Sequence, residues 1–308
     1  MGNVNIKMLF SRFVKKISLL IFFTIVAATT NAAPGGFPNL HVNCNTPFGP
    51  TINQVVSHAR EGATIKLIGD CVENVVIKKG VTLDGQGTAT LTPADSDQPT
   101  ILVAARDVVI TNLTIQGASN TQHVSITNQS LATVSNSDIS GANVGIYVGG
   151  LSLVTLTGNR IYDNVTNGVQ VLQNSTVRIG YNGDSNPVQF IPNIISGSTS
   201  GILFLRANGG VIGNQIINNQ NNGIVAINSS SVRVANNELA GNNVGIVVQS
   251  NSSVDLAEAN SALWGNPNFG SNTTLSIYCN SGYVSGIVGA SFLPFAFFTG
   301  TCENASTP

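Results

Sequence analysis

The chain has 308 residues, with 13 Lys and Arg against 14 Asp and Glu, a formal charge of −1 and only 9% charged residues. A nucleic-acid partner is excluded, because such a polyanion needs a basic stripe that this composition cannot supply. With so few charges the surface must be covered by Asn, Ser, Thr and Gln, which suits exported proteins and hydrogen bonding to sugars.

At the start, Lys7, Arg12, Lys15 and Lys16 precede the apolar run Ile17–Ala28, and Thr30, Asn31 and Ala32 supply small residues for cleavage. That order predicts a secretory signal peptide over residues 1–32 and a secreted or periplasmic protein. The apolar core is too short for a comfortable membrane span, so no transmembrane segment is expected in the mature chain. Removal of the segment takes away four basic residues and no acidic one, lowering the formal charge from −1 to −5.

Residues 33–50 read as a lead-in. Thr51 and Gln54 then match a capping box, and Ile52, Val55, Val56 and Ala59 make one apolar helical face. This predicts a capping helix that ends at Gly62, followed by a first strand at Thr64–Ile68.

From there a unit of about 22 residues recurs. Aligned on Gly145, Gly168, Gly201, Gly223 and Gly245, each copy reads Gly-Ile/Val, an apolar pair, a polar corner and a second apolar pair. Apolar residues alternate with period two in pieces of three to five, which argues for strands, and Asn and Ser between them favour bends. Three short strands and three corners per copy make one rung of a parallel β-helix, which can bury its apolar face only by stacking on its neighbours. The alignment places Ile146, Val169, Ile202, Ile224 and Ile246 in one inner column, and Leu156, Ile179, Ile212, Val234 and Leu256 in another. Asn159, Asn214 and Asn237 share a corner where stacked amides bond along the axis.

The spacing from Gly168 to Gly201 is about ten residues longer, and the surplus falls in Gly183–Pro192, which reads as a loop ejected from one corner. The β-helix domain is placed at 51–278 and a C-terminal cap or tail at 279–308, where the apolar run Phe292–Phe298 either plugs the last rung or folds back. A motive for folding back is an outward apolar column of Tyr147, Leu172, Leu203, Leu205, Val225, Ile227 and Val247, which alternatively serves self-association.

The four cysteines suit an oxidising compartment. Cys279 and Cys302 lie 23 residues apart, close to one rung, whereas pairing Cys44 with Cys302 would bridge opposite ends of the rod. Disulfides Cys44–Cys71 and Cys279–Cys302 are expected, one clamping each end.

Gly62-Ala63-Thr64-Ile65, Cys71–Ile77 and Val81–Gly87, leading into Gly-Ile-x-Val and Asn-x-Ile coils, resemble the right-handed parallel β-helix repeat proteins of the pectate-lyase-like superfamily. The resemblance covers Thr51 to the region of Cys279 and implies an all-β solenoid. That superfamily includes lyases, hydrolases, epimerases, esterases and non-catalytic surface proteins, so the likeness speaks to fold and leaves activity open. The Asn-Thr-Asp, Asp-Asp, Gly-His-Gly and Arg-Ile-Lys motifs of its hydrolases are absent, as are Trp-Ile-Asp-His and Asp-Pro-His-Asp of its lyases and epimerases. The histidines His41, His58 and His123 show no metal-ligand spacing, and no metal or cofactor is expected.

Charged residues on outward positions remain as candidates. Asp138, Arg160 and Glu238 occupy the slot before the closing Ile or Leu of their rungs, and Arg178, Arg233 and Asp255 occupy a second slot. The plainer reading makes them surface ion pairs between rungs. The sharper one gathers them with Asp163 and Asp184 into a shallow groove that holds a polysaccharide or surface glycan. A polysaccharide lyase or epimerase with an atypical site, and a structural, self-associating envelope protein, are the alternatives.

Overall fold

The computed structural model describes residues 40–183, 189–256, 268–269, 272–286, 296–299 and 303–305. Their strands form three long parallel sheets of twelve, nine and ten strands, here called A, B and C. The chain visits them in strict rotation. Ser231–Ala235 belongs to A, Glu238–Ala240 to B and Val244–Gln249 to C, after which the next coil begins at Ser253. Among the described residues nine coils contribute a strand to every sheet, and parallel strands stack about 4.8 Å apart. The aliphatic column Ile146, Val169, Ile202, Ile224 and Ile246 runs in register through sheet C, each residue fully buried.

The second expected column needs one correction. Ile179 pairs with Val211, and Val211 with Val234, so Val211 is the inner residue and Ile212, at the end of its strand, pairs with Ala235 and packs with it beside Tyr181. The cause is a shorter corner upstream. That coil turns from C to A with one left-handed residue, Arg206, where its neighbours use two, Gln173 with Asn174 and Asn228 with Ser229.

Left-handed backbone explains the abundance of Asn and Gly. The A-to-B corner carries positive φ at Asn112, Asn136, Gly158, Gly180, Gly213 and Asn236, residues that tolerate this region better than β-branched ones. Behind that corner runs a buried amide ladder of Asn159, Asn193, Asn214 and Asn237. Asn159 Nδ2 donates to Val134 O at 2.8 Å and to Asn193 Oδ1 at 2.9 Å, and Asn193 and Asn214 repeat the pattern one rung on. The inserted segment therefore leaves after Gly180 and rejoins at Asn193 without breaking the ladder. A parallel ladder of Asn219, Asn242 and Asn272 lines the B-to-C corner, with Asn164 in the same slot further back.

At the start, the capping box forms as expected, and the Glu73 carboxylate accepts from Ile52 N and Asn53 N at 2.8 and 2.9 Å. Helix α1 spans Ile52–His58 and buries Ile52 and Val56. It stops a turn short of Gly62 because Ala59 turns extended while Lys79 Nζ donates to the Ser57 and Ala59 carbonyls. The Cys44–Cys71 disulfide is present, with Cα atoms 5.0 Å apart. Strand Leu40–Asn43, in the stretch read as lead-in, pairs in parallel with Thr64–Ile68 and begins sheet A.

Cys279 is disulfide-bonded, and its expected partner Cys302 lies outside the described residues. Ala296–Thr299 adds to sheet C beside Leu275–Asn280, so this part of the apolar run continues the solenoid. In the outward column of sheet C, Val225 and Val247 are each 8% exposed.

One residue marks where a ladder is imperfect. Ser198 takes the slot between Asn164 and Asn219, and its hydroxyl is buried without a hydrogen-bond partner. Replacement by Asn would let an amide bridge the gap, so Ser198→Asn is expected to stabilise the fold by about 1 kcal/mol, read as a higher denaturant midpoint at unchanged slope.

His123 does comparable work in an earlier coil. Its Nε2 lies 2.7 Å from Ser140 O and its Nδ1 2.9 Å from Thr100 Oγ1, a pattern that the neutral imidazole satisfies by donating to the carbonyl and accepting from the hydroxyl. Burial pushes its pKa below the usual 6.5, against weaker opposite pulls from the Ser140 and Gly117 backbone. The unfolded chain then binds a proton more readily. Stability should be full above 6.5 and be lost as pH falls from there through the folded value. Urea titrations from about pH 8 to about pH 5 should show this decline in the parent and a flatter profile in His123→Asn.

Candidate functional site

The outer face of sheet A changes character along its length. One outward column reads Thr155, Arg178, Gly210, Arg233, Asp255 and Ser285, each in register with the next. Glycine in the middle of a strand removes a side chain where its neighbours project one, and here the vacancy is filled from elsewhere. The inserted segment forms a small antiparallel hairpin, Tyr181–Asn182 against Gln189–Phe190, and it lays Tyr181 over Gly210. A Cβ at position 210 would meet the Tyr181 hydroxyl, with Cε1 and Cζ of the ring at 3.1 Å. The phenol thus sits in the gap between the strands that carry Arg178 and Arg233.

Around this seat lies a groove of about 510 Å³ that crosses five strands of sheet A. Four rung steps of about 4.8 Å make it about 19 Å long. Polar residues Thr176, Asn208, Ser231 and Ser253 line one side, and Tyr283 stands at the far end, 38% exposed. Arg233 Nε meets Asp255 Oδ2 at 3.0 Å, and Ser285 Oγ reaches Asp255 Oδ1 at 3.4 Å. Both members of that ion pair are well exposed, so it contributes less than about 1 kcal/mol to stability. Arg178 packs its guanidinium against the hairpin base, with Nε 3.0 Å from where a Gly183 side chain would begin. Burial raises the Tyr181 pKa above the usual 10.0, while Arg178 and Arg233 pull it the other way. The phenol is neutral at physiological pH and presents a hydroxyl together with an amphipathic ring.

Of the candidates from sequence, Arg178, Arg233 and Asp255 come together in this groove. Asp138 and Arg160 sit in register on sheet B, a different face, where the Arg160 guanidinium carbon lies 4.0 Å above the Tyr162 ring. Glu238 lies three rungs further along sheet B, beside Gln215. Asp163 takes left-handed backbone at a B-to-C corner, its N–H donating to Ser196 O at 3.1 Å, apart from the groove. Asp184 lies outside the described residues. Sequence reasoning missed Tyr181, Gly210 and Tyr283. The signal for the first two was the Gly209-Gly210 pair, an interruption in a strand whose equivalents carry side chains.

No group of three or more His, Cys, Asp or Glu capable of holding a metal occurs among the described residues. No helix among them is long and apolar enough to cross a membrane.

Residues 79–183 match the family model of the right handed beta helix region. Among solved structures, the pectate lyase Pel9A is similar at 11% identity over 86% of this chain and 79% of that one, with a TM-score of 0.51. The chain is a right-handed parallel β-helix protein with the pectate-lyase-like fold. The A-module of the Azotobacter vinelandii mannuronan C-5 epimerase AlgE6 gives 14% identity over 88% of this chain and 90% of that one, with a TM-score of 0.38. No curated protein matches the sequence.

The seat of Tyr181 gives a direct test of the groove in this β-helix. In a spectrophotometric titration, Tyr181, identified by difference from Tyr181→Phe, should ionise above pH 10.0. Gly210→Ala should drive the ring off its seat and return that transition toward the ordinary value.

Proposed function

We propose that this β-helix is an exported protein that binds a polysaccharide or surface glycan along the outer face of sheet A. The observation that carries the reading is the groove itself. Arg178, Tyr181, Arg233 and Asp255 converge there beside a row of Thr, Asn and Ser hydroxyls and amides. An extended glycan offers what this lining matches: hydroxyls for the polar row, flat C–H faces for aromatic rings, and occasional acidic groups for guanidinium donors. Export is supported by the basic-apolar-small order of residues 1–32 and by the Cys44–Cys71 disulfide, which persists in oxidising compartments.

Catalysis is the second reading, favoured by the presence of two arginines, a phenol and a carboxylate in one groove. A lyase acting there would use one arginine to neutralise a uronate carboxylate and a base such as the other to take the adjacent proton, as the glycosidic C–O bond breaks and its oxygen leaves protonated by the Tyr181 phenol or water.

Glycan-array screening of the mature protein, followed by calorimetry on the best ligand, tests binding. Arg178→Ala with Tyr181→Ala is expected to weaken binding at least about tenfold, in line with losing a charge-assisted hydrogen bond and an aromatic contact. Asp138→Ala with Arg160→Ala, on sheet B, should leave it unchanged. Equal losses from both pairs would remove the groove from consideration. Growth of unsaturated-uronate absorbance on incubation with acidic polysaccharides would establish the catalytic reading, and its absence alongside tight binding would leave the binding one.

A further inference from the structure

We infer that the sheet A groove is built for a glycan of low charge density, in which neutral sugars alternate with or outnumber acidic ones, rather than for a homopolymer of uronic acids. The inference rests on the proposed glycan-binding reading and specifies its ligand. A sugar in an extended chain advances by roughly one strand spacing, so a glycan lying along the axis places about one residue over each of the five strands. A homopolyuronate would bring a carboxylate with every one of them.

The described lining answers that charge poorly. Its ionised side chains are Arg178, Arg233 and Asp255, a net charge of one positive unit, and Arg233 is already engaged by Asp255 at 3.0 Å. Tyr181 is neutral, since burial raises its pKa. Bridging a run of carboxylates through calcium would require several oxygen donors of the protein's own. The groove contributes one carboxylate, held by Arg233 and Ser285, and no group of three or more His, Cys, Asp or Glu able to hold a metal lies among the described residues.

What the groove does supply in quantity is neutral. Thr176, Asn208, Ser231 and Ser253 form an uncharged row, and Tyr181 and Tyr283 add two amphipathic rings. Arg178 and Arg233 stand two rungs apart with Tyr181 between them, so the cationic positions recur at every second sugar, about 10 Å. This spacing fits an acidic residue, a neutral residue stacked near Tyr181, and a second residue read by the Arg233–Asp255 pair through its hydroxyls.

The test compares two probes by calorimetry on the mature protein: a hexasaccharide alternating uronate with N-acetylhexosamine, and a hexagalacturonate. Measurements run at low and at physiological ionic strength. The alternating probe is expected to bind at least about tenfold tighter at physiological ionic strength, where weak screened attraction contributes little. Asp255→Asn raises the local charge to two and should tighten hexagalacturonate binding about threefold while moving the alternating probe less. Asp255 is well exposed, and circular dichroism checks folding of the variant. Tighter binding of the hexagalacturonate by the parent protein would overturn the inference and leave the glycan-binding reading standing. Failure of both probes and of neutral oligosaccharides would overturn the two together.

Discussion

Every coil of this chain must turn three corners while its backbone passes through the interior edge of a packed core, and each polar group buried there needs a partner along the axis. That constraint governs the rest. A buried amide or carbonyl without a hydrogen bond costs about 1–3 kcal/mol, and the same requirement recurs at the corner slots of each coil. The chain meets the constraint with side chains that carry both a donor and an acceptor. An asparagine in the slot donates from its amide nitrogen to a carbonyl of the coil behind and to the next asparagine's oxygen, while its own oxygen accepts from a backbone N–H, so that Asn159, Asn193, Asn214 and Asn237 form a continuous hydrogen-bonded file. The serines at the C-to-A corner do the same with a shorter reach, Ser130 N donating to Ser152 Oγ and Ser152 N to Ser175 Oγ. His123 belongs to this logic as well, because its two ring nitrogens span a hydroxyl and a carbonyl on different coils.

The same constraint decides where variation is permitted. Inner columns are mostly Val, Ile and Leu, and where one column changes size, as from Val171 to Phe204, Ala226, Val248 and Cys279, the packing must still be filled within its own coil and two neighbours. Outer faces and corner lengths are freer. The sheet A groove comes from three such freedoms acting near one another: a lost side chain at Gly210, a hairpin that enters after Gly180 and supplies Tyr181, and charged residues in an outward column otherwise occupied by Thr or Ser. None of the three disturbs the core, and Asn193 restores the ladder after the hairpin.

Much of the fold was legible because the repeat is redundant. Five copies of Gly-Ile/Val and a period-two pattern leave few alternatives, and the capping box at Thr51 and Gln54 is a local signal that structure bears out. The misplacement of Ile212 shows the limit of counting. Alignment assumed equal corners, and the single left-handed residue Arg206 shortened one of them by a residue, which sequence spacing alone does not locate. The groove was legible only in part for a related reason. Arg178, Arg233 and Asp255 could be placed in one column by periodicity, but Tyr181 arrives from outside the repeat, and no periodic argument reaches a residue on an insertion. Asp163 turns a B-to-C corner in left-handed backbone, which separates it from the column of Arg178, Arg233 and Asp255.

The hairpin's point of entry has a wider consequence. Because the ladder closes again within the same coil, the scaffold registers an insertion of this size as a local event, and the coils on either side keep their pairing. A corner of this kind is a port. Chain length can be added or withdrawn there while the inherited stack of coils goes on folding, so that new surfaces on sheet A can be tried by evolution one loop at a time, each beside a flat face that already exists.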